Sequence, residues 1–224
     1  MRVCALIPAF DEADHIASVV EGALRYVEEV IVIDDGSSDG TAREGQLAGA
    51  VCLHNEVRQG KGSALRKGIE AILDRDFTHV LLMDGDGQHD AEDIPSLLKV
   101  ACESGADLVI GARCFERGSM PVSRYYSNTL GSKLASWLVG AELRDSQCGF
   151  RLVRLDGLRK LNLRAMKYEI EMEMLIKMVA AGNRIAHASI RTVYEGGRAR
   201  SKMRPVRDTV RICFWCLAYR YLGV

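Results

Sequence analysis

Short apolar runs alternate with amphipathic stretches along the first half of the chain. Residues 3–7, 30–33, 51–54, 79–83 and 108–110 are each brief and rich in Val, Ile and Leu, the pattern of strands covered on both faces. Between them, residues 13–26 place Ile16, Val19, Val20, Ala23 and Leu24 on one helical face. A second helix carries Ala64, Leu65, Ile69, Ile72 and Leu73, and a third spans about 91–103. Strand, helix, strand, helix through residue 111 predicts an α/β fold with a mostly parallel, Rossmann-like central sheet. In such a sheet ligands bind beyond the carboxyl ends of the strands.

The second half is less regular. Residues 123–139 read as helical, and 146–151 lead into a strand. Residues 169–181 form a helix with Ile170, Met174, Leu175 and Met178 on its apolar face, and 184–193 alternate as a strand. A glycine- and arginine-rich loop at 195–205 precedes an amphipathic helix. Its basic Arg207, Arg211 and Arg220 beside Phe214, Trp215, Tyr219 and Tyr221 suit a membrane surface, and its breadth equally suits packing on the domain or on a second copy. The organisation expected is one catalytic domain over 1–204 and this C-terminal helix over 205–224.

At 224 residues the chain suffices for one well-buried domain. Thirty basic and thirty acidic residues cancel, which gives no footing for a nucleic-acid binder. Seven cysteines, an odd number scattered through core segments, fit a reducing cytoplasm, and Cys213 and Cys216 lack the second pair that a zinc site needs. The N-terminus enters a strand without a signal-peptide pattern, and no run reaches the ~20 apolar residues of a membrane span.

The chemistry gathers where strands end. Asp84, Asp86 and Gln88, with Gly85 and Gly87 between them, offer oxygen ligands on a backbone free to turn, which suits Mg²⁺ or Mn²⁺. Taken alone, such a stretch is more often an ordinary solvated turn. Asp34-Asp35-Gly36-Ser37-Ser38-Asp39-Gly40-Thr41 ends the second strand, with Ser38 or Asp39 placed to cap the next helix. Gln59-Gly60-Lys61-Gly62-Ser63 is not a P-loop, because Asn55 stands where that motif needs its first glycine.

Pro8-x-x-x-Glu12, Asp34 to Thr41, Asp84-x-Asp86-x-Gln88, Gly111-x-Arg113, Gly149-Phe150 and Arg198-x-x-Ser201-Lys202 occur in an order that resembles the family 2 inverting glycosyltransferases of GT-A fold. Within them the chain looks most like the polyprenyl-phosphate sugar synthases, the dolichol-phosphate mannose synthase group. The resemblance implies that Pro8, Phe10, Glu12, Ile33 and Asp35 surround the nucleotide base and ribose. It implies that Asp84, Asp86 and Gln88 hold the ion that bridges the diphosphate, beside Gly85. Arg113, Arg124, Arg198 and Lys202 would bind phosphate oxygens, with Asp86, Arg113 and Arg124 the residues closest to the chemistry. Cys148 and Gly85 depart from the group's usual small residues without removing a charge.

The resemblance implies transfer of mannose or glucose from GDP-mannose or UDP-glucose to a polyprenyl or dolichyl monophosphate, by an enzyme peripheral at the cytoplasmic membrane face. A homo-oligomer or small membrane partner would accompany it. A phosphate acceptor is already anionic and needs no general base. Asp145, Glu169, Glu171 and Glu173 are the residues from which a base for a hydroxyl acceptor would come; otherwise the glutamates are helix-surface charge and Asp145 a turn cap. The rivals are a transferase acting on a soluble or glycan hydroxyl and a non-catalytic nucleotide-sugar scaffold.

Overall fold

The computed structural model describes residues 1–113, 132–133, 135–137, 139–140, 142–146 and 148–191. Its elements are β1 (Val3–Ala9), α1 (Ala13–Leu24), β2 (Glu29–Asp34), α2 (Thr41–Leu47), β3 (Val51–His54), α3 (Lys61–Leu73) and β4 (His79–Leu82). A 3-10 turn (Ala91–Asp93) then leads into α4 (Ile94–Ser104). These are followed by β5 (Leu108–Arg113), β6 (Arg151–Arg154), α5 (Leu155–Leu158), α6 (Ile170–Ala180) and β7 (Ile185–Ile190). Helical residues also occur between 132 and 139, inside the stretch expected to be helical. The expected loop at 195–205 and helix over 205–224 lie outside the described residues.

The strands form one sheet in the order β3-β2-β1-β4-β6-β5-β7. All neighbours are parallel except β6, which runs antiparallel to both β4 and β5. That reversal was not foreseen. It brings the chain into β6 from the edge at which β4 and β5 leave, because Leu82 and Ile110 both pair with Arg151. The Cys148-Gly149-Phe150 segment therefore arrives beside the acids that follow β4.

Apolar strands follow from helices on both faces. On β1 and β2, Leu6 and Ile33 turn toward Gly68 of α3, whereas Val32 turns toward Gly45 of α2, which Ile16 of α1 also approaches. A Cβ at Gly68 would lie 2.8 Å from Ile33 Cδ1, so this glycine lets α3 lie close on the sheet. Ile33 is 0% exposed, and burying a side chain of that size contributes on the order of 2–3 kcal/mol.

Register aligns the ends of the parallel strands. Pro8 pairs with Ile33, Ala9 with Asp34, and Leu6 with Leu82. Phe10, Asp35 and Asp84 consequently leave the sheet at one edge.

Candidate active site

Two loops at this edge are stitched together by side chains. Asp11 lies in the left-handed region at φ 50°, and its backbone N–H donates to Ser37 Oγ in the neighbouring loop at 2.9 Å. In return Asp11 Oδ1 accepts from the Ser38 backbone N–H at 2.9 Å. Asp is among the residues that tolerate this conformation. Neither Ser38 nor Asp39 is the cap residue of α2; Asp39 stands one residue ahead of it, where Oδ1 accepts from the Thr41 N–H at 3.0 Å and Oδ2 from the Ala13 N–H at 3.0 Å. It thus joins the starts of α2 and α1, with Gly40 in the cap position itself.

Asp35 is buried and hydrogen-bonded at both carboxylate oxygens. Its Oδ1 accepts from Asn55 Nδ2 and from the Gln59 N–H, each at 2.9 Å, and its Oδ2 from the Gly60 N–H at 2.7 Å. Its carboxylate is committed to the loop ahead of α3. Phe10 lies beneath Arg58 of that loop, with the guanidinium carbon 3.9 Å from the ring centroid. Pro8 closes β1 half-buried, and Glu12 opens α1, its N–H donating to Thr41 Oγ1 at 2.8 Å. Ile33 is a correction, since its side chain is core under α3 and is not turned to this edge.

Beyond β4, Lys61 is the centre of a charge cluster. Its Nζ lies 2.5 Å from Asp84 Oδ1 and 2.5 Å from Glu171 Oε1. Gly149 lies against it: a Cβ there would come 2.7 Å from Glu171 Oε1 and 3.0 Å from both Asp84 Oδ2 and Lys61 Nζ. Burial works to raise the Asp84 carboxyl, but Lys61, with His89 and Arg113 adding, holds it below the ordinary carboxylate range. Burial works against the Lys61 ammonium in the same way, and Asp84 and Glu171 outweigh it, so its pKa rises.

Asp86 is in the opposite situation. Burial first, then the negative charges of Asp84 and Glu12, push its carboxyl up to about 6, against the Gln88 N–H that donates to Oδ1 at 3.1 Å. Gln88 Nε2 is buried and has no hydrogen-bond partner among the described residues. A crowded acid with too little positive charge is a setting that a cation relieves, while the unpartnered Gln88 amide N–H₂ is a donor suited to an acceptor such as a phosphate oxygen. Among the described residues no group of three or more His, Cys, Asp or Glu side chains could hold a metal alone. Two carboxylates and an amide fit an ion that completes its shell with phosphate oxygens, the habit of Mg²⁺ and Mn²⁺ rather than of a closed structural site. His89 supports the turn: its Nδ1 accepts from the Asp84 N–H at 3.1 Å while its ring stacks on Phe150 at 5.0 Å.

Arg113 reaches this edge but is clamped to the buried Asp145, with Nε to Oδ2 at 2.6 Å and Nη2 to Oδ1 at 3.1 Å. Asp145 is therefore an ion-pair partner and not a turn cap. The glutamates of α6 are likewise not surface charge: Glu169, Glu171 and Glu173 are at most 9% exposed. Glu173 accepts from the Arg164 and Ala165 N–H groups and pairs with Lys177 at 2.6 Å. Arg124, Arg198 and Lys202 lie outside the described residues. Gly85 sits with its missing Cβ 3.3 Å from Ala9 Cβ, snug behind the turn.

Sequence reasoning gave no site role to Lys61 or Arg151, and weighed Glu171 only as a base or as surface charge. Arg151 is 0% exposed and donates to three carbonyls, Cys148 at 2.8 Å, Glu171 at 2.6 Å and Ser146 at 3.0 Å. It ties the segment before β6 to the start of α6. The signal was a charged residue opening a strand whose next positions are apolar.

A family model described as Glycosyl transferase family 2 matches residues 4–161. The undecaprenyl-phosphate mannosyltransferase of Micrococcus luteus is 32% identical over 241 residues, covering 100% of this chain and 98% of that protein. The polyprenol monophosphomannose synthase of Mycolicibacterium smegmatis is 30% identical over 180 residues, covering 74% of this chain and 66% of that one. Among solved structures, glucosyl-3-phosphoglycerate synthase from Mycobacterium tuberculosis, in complex with Mn²⁺, uridine diphosphate and glucosyl-3-phosphoglycerate, superposes with a TM-score of 0.78. That match is 22% identical and covers 98% of this chain and 79% of that chain, a likeness of fold.

Proposed function

The chain belongs to glycosyl transferase family 2 and is a glycosyltransferase, and we propose that it moves a hexose, mannose before glucose, from a nucleoside diphosphate sugar to a polyprenyl monophosphate. The names of its relatives support the lipid acceptor and the mannose. The observation that carries the reading is the engagement of three of the four candidate bases, the fourth, Glu169, being buried at 3% exposure. Asp145 is held by Arg113, Glu171 by Lys61, and Glu173 by Lys177 and two backbone N–H groups. Carboxylates so engaged suit positioning better than proton abstraction. An acceptor that arrives as a phosphate anion needs none removed.

An acceptor phosphate oxygen attacks the anomeric carbon from the face opposite the leaving group. The new carbon–oxygen bond forms as the bond to the β-phosphate breaks, with inversion, and the electron pair leaves on the nucleoside diphosphate. Asp84, Asp86 and Gln88 would hold Mg²⁺ or Mn²⁺, which when bound neutralises the diphosphate. Lys61 keeps Asp84 ionised and fixed in place, and Phe10 with the loop 55–60 receives the base. Arg113, Arg124, Arg198 and Lys202 are assigned to phosphate oxygens, for which guanidinium forks are suited.

Among the described residues no helix is long and apolar enough to cross a membrane. We place the enzyme at the cytoplasmic membrane face, a reading that the polyprenyl-phosphate acceptors in its relatives' names support. The test is a donor screen of GDP-mannose, UDP-glucose and UDP-N-acetylglucosamine with polyprenyl phosphate and Mn²⁺, read by extraction of labelled sugar into organic solvent. Label in the organic phase from GDP-mannose is the expected result. Label transferred solely to a water-soluble acceptor would overturn the lipid assignment.

A further inference from the structure

We infer that Arg58 is the residue that stacks on the donor's nucleobase and that Asp35 positions it by anchoring its loop. This inference rests on the nucleotide-sugar reading above. Asp35 spends both carboxylate oxygens on Asn55, Gln59 and Gly60, three groups of the segment that flanks Arg58. Asn55, 6% exposed, is fixed in turn: its N–H donates to the Asp34 carbonyl at 2.9 Å, and its Oδ1 accepts from Lys67 Nζ at 2.8 Å. Gly36, at φ 78°, lies directly under the same segment. A Cβ on it would come 2.8 Å from the Arg58 backbone nitrogen and 2.9 Å from the Val57 carbonyl carbon. The backbone of residue 58 is thereby pinned against the end of β2.

The Arg58 side chain is different. It is exposed, and its guanidinium lies 3.9 Å over the Phe10 ring, the spacing at which flat groups stack. No base fits between planes that close. A base entering at Phe10 therefore takes the guanidinium's place on the ring, and Arg58, long and solvent-facing, turns outward to cap the base from the other side. A planar cation suits this role because every base presents a π-face, and carbonyl edges of guanine or uracil accept from its N–H groups. Asp35, with its oxygens already occupied, contributes by holding the loop.

The experiment measures binding of GDP, UDP and inorganic pyrophosphate, each with Mn²⁺, to full-length wild type, Arg58→Ala and Arg58→Lys by calorimetry. Thermal melting checks that the exposed substitutions leave the fold intact. The expected result is a loss of about five- to thirty-fold in affinity for the wild type's preferred nucleoside diphosphate in both variants, with pyrophosphate binding unchanged. Unchanged nucleotide affinity in Arg58→Ala overturns the inference, as does an equal loss for pyrophosphate, which would make Arg58 a phosphate ligand. Full affinity in Arg58→Lys also overturns it, since charge without a plane would then suffice. A wild type that binds neither nucleotide brings down the donor reading itself, a result distinct from these.

Discussion

Lys61 Nζ lies 2.5 Å from Asp84 Oδ1, so the first acid of the metal motif is ion-paired to a residue that opens α3. The same ammonium holds Glu171 of α6 at 2.5 Å. A lysine thus joins three elements at the sheet edge, and its removal leaves two largely buried carboxylates facing each other.

Lys61→Met is expected to lower stability by about 3 kcal/mol, the scale for removing one partner of a buried pair. Mn²⁺ is then expected to raise the melting temperature of the variant more than that of wild type, because it supplies the missing positive charge. Denaturant titration and melting with and without Mn²⁺ check both. A variant as stable as wild type would count against the cluster.

Gly149→Ala puts a methyl group 2.7 Å from Glu171 Oε1 and 3.0 Å from Asp84 Oδ2. The carboxylates have to shift by tenths of an ångström or more. A shift that grows to about 1 Å at the acids that would hold the metal lowers turnover by about 100-fold, and a smaller one by less. Steady-state transfer by a variant that still folds, as judged by circular dichroism, is the check.

Arg151→Met keeps much of the volume and removes the donors to the Cys148, Glu171 and Ser146 carbonyls. Buried acceptors left unmatched cost about 1–3 kcal/mol each, tempered by relaxation and by the relief of a buried charge. A net loss of about 3 kcal/mol is expected, measured by urea unfolding.

His79 carries the pH dependence that is easiest to isolate. It is 8% exposed, with Nδ1 2.9 Å from Thr78 Oγ1 and Nε2 lacking a hydrogen-bond partner among the described residues. Burial, then Arg154 and the N-terminal ammonium, lower its pKa, while Asp107 and Asp156 act the other way. A histidine depressed in the native state protonates first in the unfolded chain. Above about pH 7.5 both states are neutral and the group contributes nothing to the pH slope; as pH falls through about 6.5, the unfolded state gains a proton and stability drops. Urea midpoints at pH 7.5 and 5.5 are expected to differ less in His79→Gln than in wild type.

The first half of the fold was readable because its strands are covered on both faces. Residues 30–33 and 80–83 show as unbroken apolar runs, and the helices between them keep a clean stripe. The reversal at β6 leaves no such mark, since an antiparallel strand buried in the middle of the sheet reads like a parallel one. The acids of the turn after β4 were visible as a motif, yet their surroundings were not. Glu171 looks like helix-surface charge until Lys61, 110 positions away, is placed on it. Asp35 reads as a nucleotide ligand, and its bonds to the loop 55–60 cannot be seen from its own neighbours in the chain. In both cases the deciding partner is distant along the chain, where local periodicity carries no information.

The central claim is that acids after β4 and a sugar nucleotide at the same edge perform one transfer to a lipid phosphate. Its most direct test measures labelled sugar entering the organic phase from GDP-mannose and polyprenyl phosphate, for wild type and Asp86→Asn, with Mn²⁺ and with EDTA. Wild type with Mn²⁺ is expected to transfer, and both the EDTA sample and a folded Asp86→Asn are expected to be inactive. A near-normal rate from Asp86→Asn would contradict the account.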